Sequence, residues 1–219
     1  NGSNDVLELL ARCFLSPGRN VVASAHAFAV YALATQACGA ELREVPALPA
    51  DHAEQPYGHD LASFAAHIDA DTRLIFVANP NNPTGNWVQP EAIEALLKQV
   101  PEHCLLVLDE AYLEYQTAEQ RPPVVDWLRR YPNLVVTRTF SKAYGLASLR
   151  VGYSLSSPEV ADLLNRVRQP FNNNQVALVA AEAALDDQEF IQRSVACNRA
   201  GMVQLEKGLE ALGLSCLPS

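Results

Sequence analysis

The sequence predicts an α/β fold in which a mostly parallel central sheet carries helices on both faces. Short runs of apolar and β-branched residues alternate along the chain with helical patterns, and strands separated by helices form βαβ units with a parallel sheet. The run CLLVL at 104–108 is apolar throughout, which is typical of strands buried on both faces. The chain has 219 residues, enough for one large domain with a sizeable core.

The predicted elements follow one another in a regular order. Five segments are predicted as strands from the short apolar or β-branched runs that alternate with helical patterns: 20–24, 41–45, 73–78, 104–110 and 134–139. Seven segments are predicted as helices because apolar residues recur in them at helical spacing: 4–15, 28–38, 90–99, 123–131, 158–168, 175–185 and 188–211. Chemistry in such sheets lies on the loops after the carboxyl ends of the strands, so the loops after residues 78, 108 and 139 are the candidate sites.

Composition excludes several classes of function. The apolar fraction of 49% and the charged fraction of 19% are those of an ordinary globular protein, and no apolar run is long enough to cross a membrane. The net charge of −9 comes from scattered acids, without the basic stripe that nucleic-acid binding requires. The five cysteines form no Cys-x-x-Cys pair, and the five histidines lack metal-ligand spacing. We therefore expect a reducing compartment, the cytoplasm, and no metal site.

The loop after the third strand, NPNNPTG at 79–85, is rigid by composition. Its two prolines restrict the backbone, and Gly85 permits a tight turn. The segment is therefore either a rigid structural loop or a support that holds the amide of Asn82 toward a ligand.

Asp109 ends the apolar strand in LLVLDEAY, residues 105–112. A carboxylate at such a place is costly unless a cationic group pairs with it. Asp109 therefore either caps the segment that follows it or binds a protonated ring nitrogen. Tyr112, three residues on, can reach the same ligand with its hydroxyl. Glu110 is expected to be either a surface acid or an acid that contacts the ligand-binding residues without contacting the ligand.

The third loop contains Lys142, with Thr139, Ser141 and Arg150 around it. A lone lysine is usually a solvated surface residue, but an amine in a partly desolvated pocket is a nucleophile toward carbonyls. Two hydroxyls and a guanidinium are good phosphate ligands. A ligand with a carbonyl, a phosphate and a ring nitrogen would use all the groups on these three loops, and pyridoxal 5′-phosphate has all three features.

The stretches NPNNPTG, DEAY and SKAYGLASLRVG resemble the pyridoxal-phosphate aminotransferases of fold type I, and most closely the histidinol-phosphate aminotransferases, over essentially the whole chain. One departure is Ser148, where many relatives have glycine. The resemblance implies that Lys142 forms a Schiff base with the cofactor aldehyde and that Asp109 pairs with the pyridinium nitrogen. It also implies that Asn82 and Tyr112 bond to the phenolic oxygen.

The resemblance implies a phosphate site and a substrate side as well. The phosphate would meet the N–H groups of Ser3 and Asn4 at a helix start, together with Thr139, Ser141 and Arg150. Phe28 would stack on the cofactor ring, unless it is a core residue at a helix start. Asn172 and Asn174 would contact the substrate, unless they cap the helix at 175–185.

For the reaction, the resemblance implies an aminotransferase with Lys142, Asp109 and Tyr112 as its catalytic residues and the freed Lys142 amine as general base. Relatives act as homodimers in histidine biosynthesis, converting histidinol phosphate and 2-oxoglutarate to imidazole acetol phosphate and glutamate. Two alternatives stay open: a related enzyme, such as a threonine-phosphate decarboxylase or an aromatic aminotransferase, and a non-catalytic regulatory module that binds pyridoxal phosphate.

The same resemblance sets the expected domain organisation. Residues 1–217 would form the cofactor-binding large domain, and residues 218–219 would begin a small C-terminal domain. Relatives have an N-terminal arm before Asn1 and, in the small domain, an arginine for the substrate carboxylate. We therefore expect this chain by itself to bind cofactor more readily than it turns over substrate.

Overall fold

A computed structural model describes all residues 1–219, and its centre is a six-stranded sheet. The strands are β1 (Asn20–Ser24), β2 (Glu41–Val45), β3 (Thr72–Ala78), β4 (Leu105–Asp109), β5 (Leu134–Thr139) and β6 (Gly152–Leu155). Their spatial order is β2-β1-β3-β4-β5-β6, and only β6 runs antiparallel to its neighbour. The predicted mostly parallel sheet is confirmed.

Seven α-helices accompany the sheet, and each predicted helix is present within two residues at either end. They are α1 (Gly2–Phe14), α2 (Val30–Ala37), α3 (Pro90–Leu97), α4 (Val124–Arg130), α5 (Pro158–Val167), α6 (Gln175–Asp186) and α7 (Gln188–Ala211). None of them is long and apolar enough to cross a membrane. Short 3₁₀ segments at 61–67, 113–115 and 147–149 were not predicted.

The core lies in two layers, one on each face of the sheet, because successive strand side chains point to opposite faces. On one face, Leu105 and Val107 of β4 pack with residues of α1, α2 and α5. On the other face, Leu106 and Leu108 pack with residues of α3, α4 and the 3₁₀ segment 61–67. Two-sided burial explains why β4 is apolar at each position before Asp109. Helices on both faces, as predicted, are thereby confirmed.

Strand β6 was missed by the sequence prediction for a physical reason. It has only four residues at the edge of the sheet, and none of them is fully buried, so its pattern lacks the apolar run that marks the inner strands. It pairs with β5 in antiparallel register, Thr139 opposite Gly152. The connection between the two strands, residues 140–151, lies at the carboxyl edge of the sheet and contains Lys142 and Arg150.

Candidate active site

One cavity lies at the carboxyl edge of the sheet, where β1, β3, β4 and β5 end. Its volume is about 150 Å³. Such edges are where open α/β sheets bind ligands. The residues that line the cavity are Ser3, Asn4, Phe28, Ala78, Pro80, Asn82, Asp109, Ala111, Tyr112, Thr139, Ser141, Lys142 and Arg150. The structure thus brings all ten residues predicted for the cofactor site to one place.

Asp109 is the buried anion of this cavity. It closes β4 and is only 4% exposed. The hydroxyls of Tyr31 and Thr137 donate hydrogen bonds to its two carboxylate oxygens, at 2.9 and 3.0 Å. Burial raises the pKa of the Asp109 carboxyl above its ordinary value, and these donors together with the Lys142 charge oppose that rise. Its charged form is therefore incompletely compensated and gains most from a cationic partner in the cavity.

Tyr31 supports the site and was not singled out from the sequence. Its ring stacks on Phe76 of β3, with centroids 4.5 Å apart and planes within 3°. Burial and the nearby Asp109 carboxylate raise the pKa of the Tyr31 phenol well above its ordinary value, which keeps it a hydrogen-bond donor. A buried tyrosine needs a hydrogen-bond partner for its hydroxyl. Here the partner, Asp109, lies 78 residues away, so no local sequence pattern indicated the role of Tyr31. Phe28 meets the Tyr31 ring edge-on at 5.8 Å and contributes to the cavity wall.

The NPNNPTG loop holds Asn82 by a network of internal hydrogen bonds. The backbone N–H of Asn81 donates to Asn86 at 2.8 Å, and that of Gly85, in the left-handed region with φ of 74°, donates back to Asn81 at 3.0 Å. The Asn81 side chain donates to Thr84 and to the carbonyl of His26. Asn82 itself faces the cavity, where its amide donates to the Tyr112 hydroxyl at 3.5 Å. The loop is both rigid and part of the cavity wall.

Lys142 lies in the turn after β5 with its amine 5.3 Å from the centre of the Tyr112 ring. The sequence predicted a partly desolvated amine, and for this chain that was wrong, because Lys142 is exposed. The reason is that Lys142 also borders a second, larger groove of about 760 Å³, which runs between the Asn82 loop and α7. Tyr112 covers one side of the lysine, and this groove leaves the other side open.

A further group of lining residues forms an anion cradle. Helix α1 begins at Gly2, so the first-turn N–H groups of Ser3 and Asn4 have no partner within the helix and carry its positive dipole end. Arg150 lies beside them, and its guanidinium donates to the Ser141 hydroxyl at 3.3 Å and to the Asn1 carbonyl at 3.4 Å. Thr139, buried at the end of β5, accepts a bond from the Ser141 backbone N–H at 3.1 Å. These donors converge from elements far apart in the sequence.

Gly152 makes this approach of α1 to the sheet possible. A Cβ atom at residue 152 would lie 2.6 Å from the backbone nitrogen of Ser3 and 2.8 Å from the carbonyl oxygen of Arg138. Both are backbone atoms that cannot rotate away.

We expect Gly152→Ala to destabilise the chain by about 1–3 kcal/mol through overpacking and to weaken binding of a phosphate-bearing ligand. Urea unfolding measures the first effect. Gly201→Ala is the matched control, because nothing lies within 4 Å of a Cβ there and alanine in a helix interior adds about 1 kcal/mol of stability. Equal stability of the two variants would contradict the crowding argument.

Two predicted substrate contacts lie elsewhere in the structure. Asn174 is the N-cap of α6, where its side chain accepts from the Ala177 N–H at 2.8 Å. Asn172 donates to Asp5 at 3.3 Å and accepts from Arg168 at 3.1 Å. Neither residue lines the cavity or the groove beside Lys142. Capping, the alternative that the sequence left open, describes Asn174.

Glu110 is not the surface acid that the sequence allowed. It is 1% exposed, and Arg138 of β5 donates to it at 2.8 Å. It lies behind the cavity, on the opposite face of the sheet from Asp109, since neighbouring residues of a strand face opposite ways.

Comparison with known proteins agrees with this geometry. The model of the family "Aminotransferase class I and II" matches residues 1–219. Histidinol-phosphate aminotransferase 2 of Pseudomonas fluorescens and that of Pseudomonas aeruginosa are each 59% identical to the chain over 219 residues. The chain covers 57% and 58% of the length of these two relatives.

Solved structures give the same result for the fold. The histidinol-phosphate aminotransferase of Sinorhizobium meliloti, in complex with pyridoxal 5′-phosphate, superposes with a TM-score of 0.90 at 33% identity, over 98% of this chain and 56% of that one. The aspartate aminotransferase of Thermus thermophilus with maleate superposes with a TM-score of 0.85 at 27% identity, over 100% of this chain and 58% of that one. This chain belongs to the family of class I and II aminotransferases.

Proposed function

We propose that residues 1–217 form the cofactor-binding large domain of a pyridoxal-phosphate-dependent aminotransferase. The observation that carries the proposal is that one cavity is lined by a buried carboxylate, a primary amine and the residues of an anion cradle. A domain that starts near residue 218 and an N-terminal arm would complete the enzyme, consistent with relatives that are longer than this chain.

The side chains fit pyridoxal phosphate by their chemistry. Asp109 is an undercompensated anion that a protonated ring nitrogen would neutralise. The cradle of Ser3, Asn4 and Arg150, with the hydroxyls of Thr139 and Ser141, suits a phosphate. Asn82 and Tyr112 offer polar hydrogens in the same cavity, and the Phe28 ring provides an apolar surface for a flat ring.

Lys142, Asp109 and Tyr112 would each have a different role in transamination. When bound, pyridoxal phosphate supplies a reactive carbonyl and a ring that accepts the electrons released at the substrate α-carbon. Lys142 Nζ would hold the cofactor covalently, be displaced by the amino substrate, and then take the proton from the α-carbon as general base. The Asp109 carboxylate would keep a proton on the ring nitrogen, and Tyr112 would orient the group next to Lys142.

The amino donor would enter through the groove beside Lys142. The groove is lined by Trp87 and Tyr115 on one side and by α7 residues, including Arg199, on the other. The similarity to enzymes named histidinol-phosphate aminotransferases supports histidinol phosphate as donor and 2-oxoglutarate as acceptor.

We further propose a cytoplasmic homodimer, and the five unpaired cysteines are consistent with a reducing compartment.

Two other functions would share this cofactor site. A threonine-phosphate decarboxylase or an aromatic aminotransferase would use the same lysine, aspartate and cradle with a different donor. A regulatory module would bind the cofactor without turnover. No contact in the cavity favours either over the aminotransferase.

The donor can be tested on a longer parent protein loaded with pyridoxal phosphate. Histidinol phosphate, threonine phosphate and phenylalanine are mixed in turn with the protein, and release of the oxo product and of pyridoxamine phosphate is measured. We expect histidinol phosphate to give the largest kcat/KM, and 2-oxoglutarate to regenerate the starting form. Release of carbon dioxide from threonine phosphate would identify the decarboxylase, and binding without conversion of any donor would identify the regulatory module.

A further inference from the structure

The face of the sheet behind the cavity carries a buried ion pair that the proposed chemistry does not use. Arg138 Nε donates to Glu110 Oε2 at 2.8 Å, and the Glu110 side chain is 0% exposed whereas that of Arg138 is 24% exposed. The second carboxylate oxygen, Oε1, is buried and has no hydrogen-bond partner. A buried ion pair with an unsatisfied oxygen gains little stability for the fold. Its presence next to Asp109 points to a role in the site.

The pair forms the rear half of a double link between β4 and β5. On the cavity face, Thr137 donates to Asp109 at 3.0 Å, and on the rear face Arg138 donates to Glu110. The backbone N–H of Glu110 donates to the Thr137 carbonyl at 2.9 Å between them. Consecutive residues of the two strands are thus joined on both faces, which restricts the twist of the strand end that presents the Asp109 carboxylate.

The same link reaches the lysine turn through aromatic packing. Tyr153 of β6 lies opposite Arg138 in the strand register. The Tyr153 ring packs against Phe140 at 5.8 Å, and Phe140 packs against Tyr144 at 4.8 Å. Phe140 and Tyr144 flank Lys142 in sequence. Displacement of Arg138 would therefore shift residues that precede and follow Lys142 in the chain.

The charge state of Glu110 is open to change near neutral pH. Burial raises the pKa of its carboxyl to about 7, Arg138 opposes that rise, and the neighbouring Glu114 and Asp109 carboxylates add to it. On the other elements around the pair, Tyr153 raises the pKa of Arg138, and the Arg121 charge lowers the pKa of Glu114. Because the folded-state pKa is raised, Glu110 is neutral below about pH 7 and becomes a full partner of Arg138 above it.

We propose that the Glu110–Arg138 ion pair is a positioning device that aligns Asp109 and Lys142 from behind the sheet, and that the charge on Glu110 sets how firmly both are held for the cofactor. The proposal rests on the proposed function, because it takes pyridoxal phosphate as the ligand of that site. Glu110 and Arg138 touch neither ligand nor reacting atoms, so both act through their neighbours.

The test compares wild type, Glu110→Gln, Arg138→Lys and the control Glu94→Gln. Glu94 is an acid of α3 that pairs with Arg130 of α4 at 2.7 Å, outside the residues that line the cavity. The dissociation constant for pyridoxal phosphate is measured from about pH 5.5 to 8.5. Ionisations of the ligand are common to all variants and cancel in the comparison with wild type.

Relative to Glu110→Gln, we expect the affinity of wild type to rise about tenfold as Glu110 ionises, close to the size of one hydrogen bond to a charged group. Glu110→Gln should lack this rise and bind about tenfold more weakly at the upper end of the range. Arg138→Lys keeps the positive charge and should keep the rise, whereas Glu94→Gln should match wild type. A Glu110→Gln profile parallel to that of wild type, or an equal loss in Glu94→Gln, would overturn the proposal.

A second measurement on the cofactor-free chain separates this proposal from the proposed function. Amide hydrogen exchange, corrected for intrinsic rates, is compared at residues 140–145 and at 20–24 of β1. We expect Glu110→Gln to accelerate exchange severalfold at 140–145 and to leave exchange at 20–24 unchanged. Equal exchange at 140–145 in wild type and Glu110→Gln would refute the positioning role. If the exchange differs but no variant binds pyridoxal phosphate, the positioning device stands and the proposed cofactor is wrong.

Discussion

Replacing Lys142 with alanine is expected to abolish covalent attachment of pyridoxal phosphate and to lower transamination by a longer parent protein by at least about 10³-fold. A nucleophile and a general base are lost together, and general base catalysis alone contributes about 10²–10⁴-fold. The cavity supplies no substitute amine, because Lys142 is the single lysine among its lining residues. Arg150, the other cation there, carries a guanidinium rather than a primary amine and cannot take over either role.

Binding of the cofactor should survive this change in weakened form. The cradle around Arg150 and the Asp109 carboxylate are untouched by the substitution, so a noncovalent complex is expected in Lys142→Ala. Borohydride treatment followed by peptide mass analysis distinguishes the two forms, because only a covalent link is fixed by reduction.

The chain has few lysines, so peptide mass analysis can assign the lysine to which the cofactor is attached. There are three lysines, Lys98, Lys142 and Lys207, so three peptides cover every lysine to which the cofactor could be attached. Lys98→Ala is the matched control, since Lys98 lies on α3 and pairs with Glu94 at 3.5 Å. The assignment of Lys142 fails if the fixed cofactor maps to another lysine, or if Lys98→Ala loses attachment as completely.

The second large effect is expected at Asp109, where substitution should lower function without lowering stability. Asp109→Asn preserves shape, and the hydroxyls of Tyr31 and Thr137 can accept as well as donate hydrogen bonds. It removes the negative charge that would keep a proton on the cofactor ring nitrogen. Loss of one preorganised electrostatic contact costs about 10²–10³-fold in rate, and we expect turnover by the parent protein to fall by that factor.

The stability of the cofactor-free chain should not fall with it. Burial raises the folded-state pKa of Asp109 above its ordinary value, so the native state binds the proton more tightly than the unfolded state does. An acid of this kind destabilises the native state once pH exceeds the unfolded pKa. Asp109→Asn removes that penalty, and its free energy of unfolding at pH 7 should equal or exceed that of wild type.

Turnover assays on the parent protein and urea unfolding of the cofactor-free chain test the two halves of this expectation. The penalty disappears at low pH, so any gain in the free energy of unfolding should shrink as pH falls below the ordinary pKa of an aspartate. Asp126→Asn is the control, because this α4 acid is 67% exposed at its side chain and should change neither quantity. A large loss of stability at pH 7 in Asp109→Asn would show that the carboxylate serves the fold rather than the cofactor.

The sequence alone determined the seven helices, five of the six strands and ten of the thirteen residues that line the cavity. Residues 105–108 of β4 are apolar at successive positions, and that pattern arises where helices cover both faces of a sheet. The parallel order then places the loops after β3, β4 and β5 at one edge. Asn82, Asp109 and Lys142 could therefore be predicted to meet without knowledge of any distance between them.

Only the tertiary structure decided which neighbours tune those residues. The bond from Tyr31 to Asp109 and the ion pair of Glu110 with Arg138 join residues 78 and 28 positions apart, and nothing in a local pattern specifies such partners. The exposure of Lys142 likewise depends on where α7 leaves a groove. Local periodicity sets which face of an element is buried, whereas hydrogen bonds and burial at a site depend on how distant elements pack, and that is decided by the folded chain as a whole.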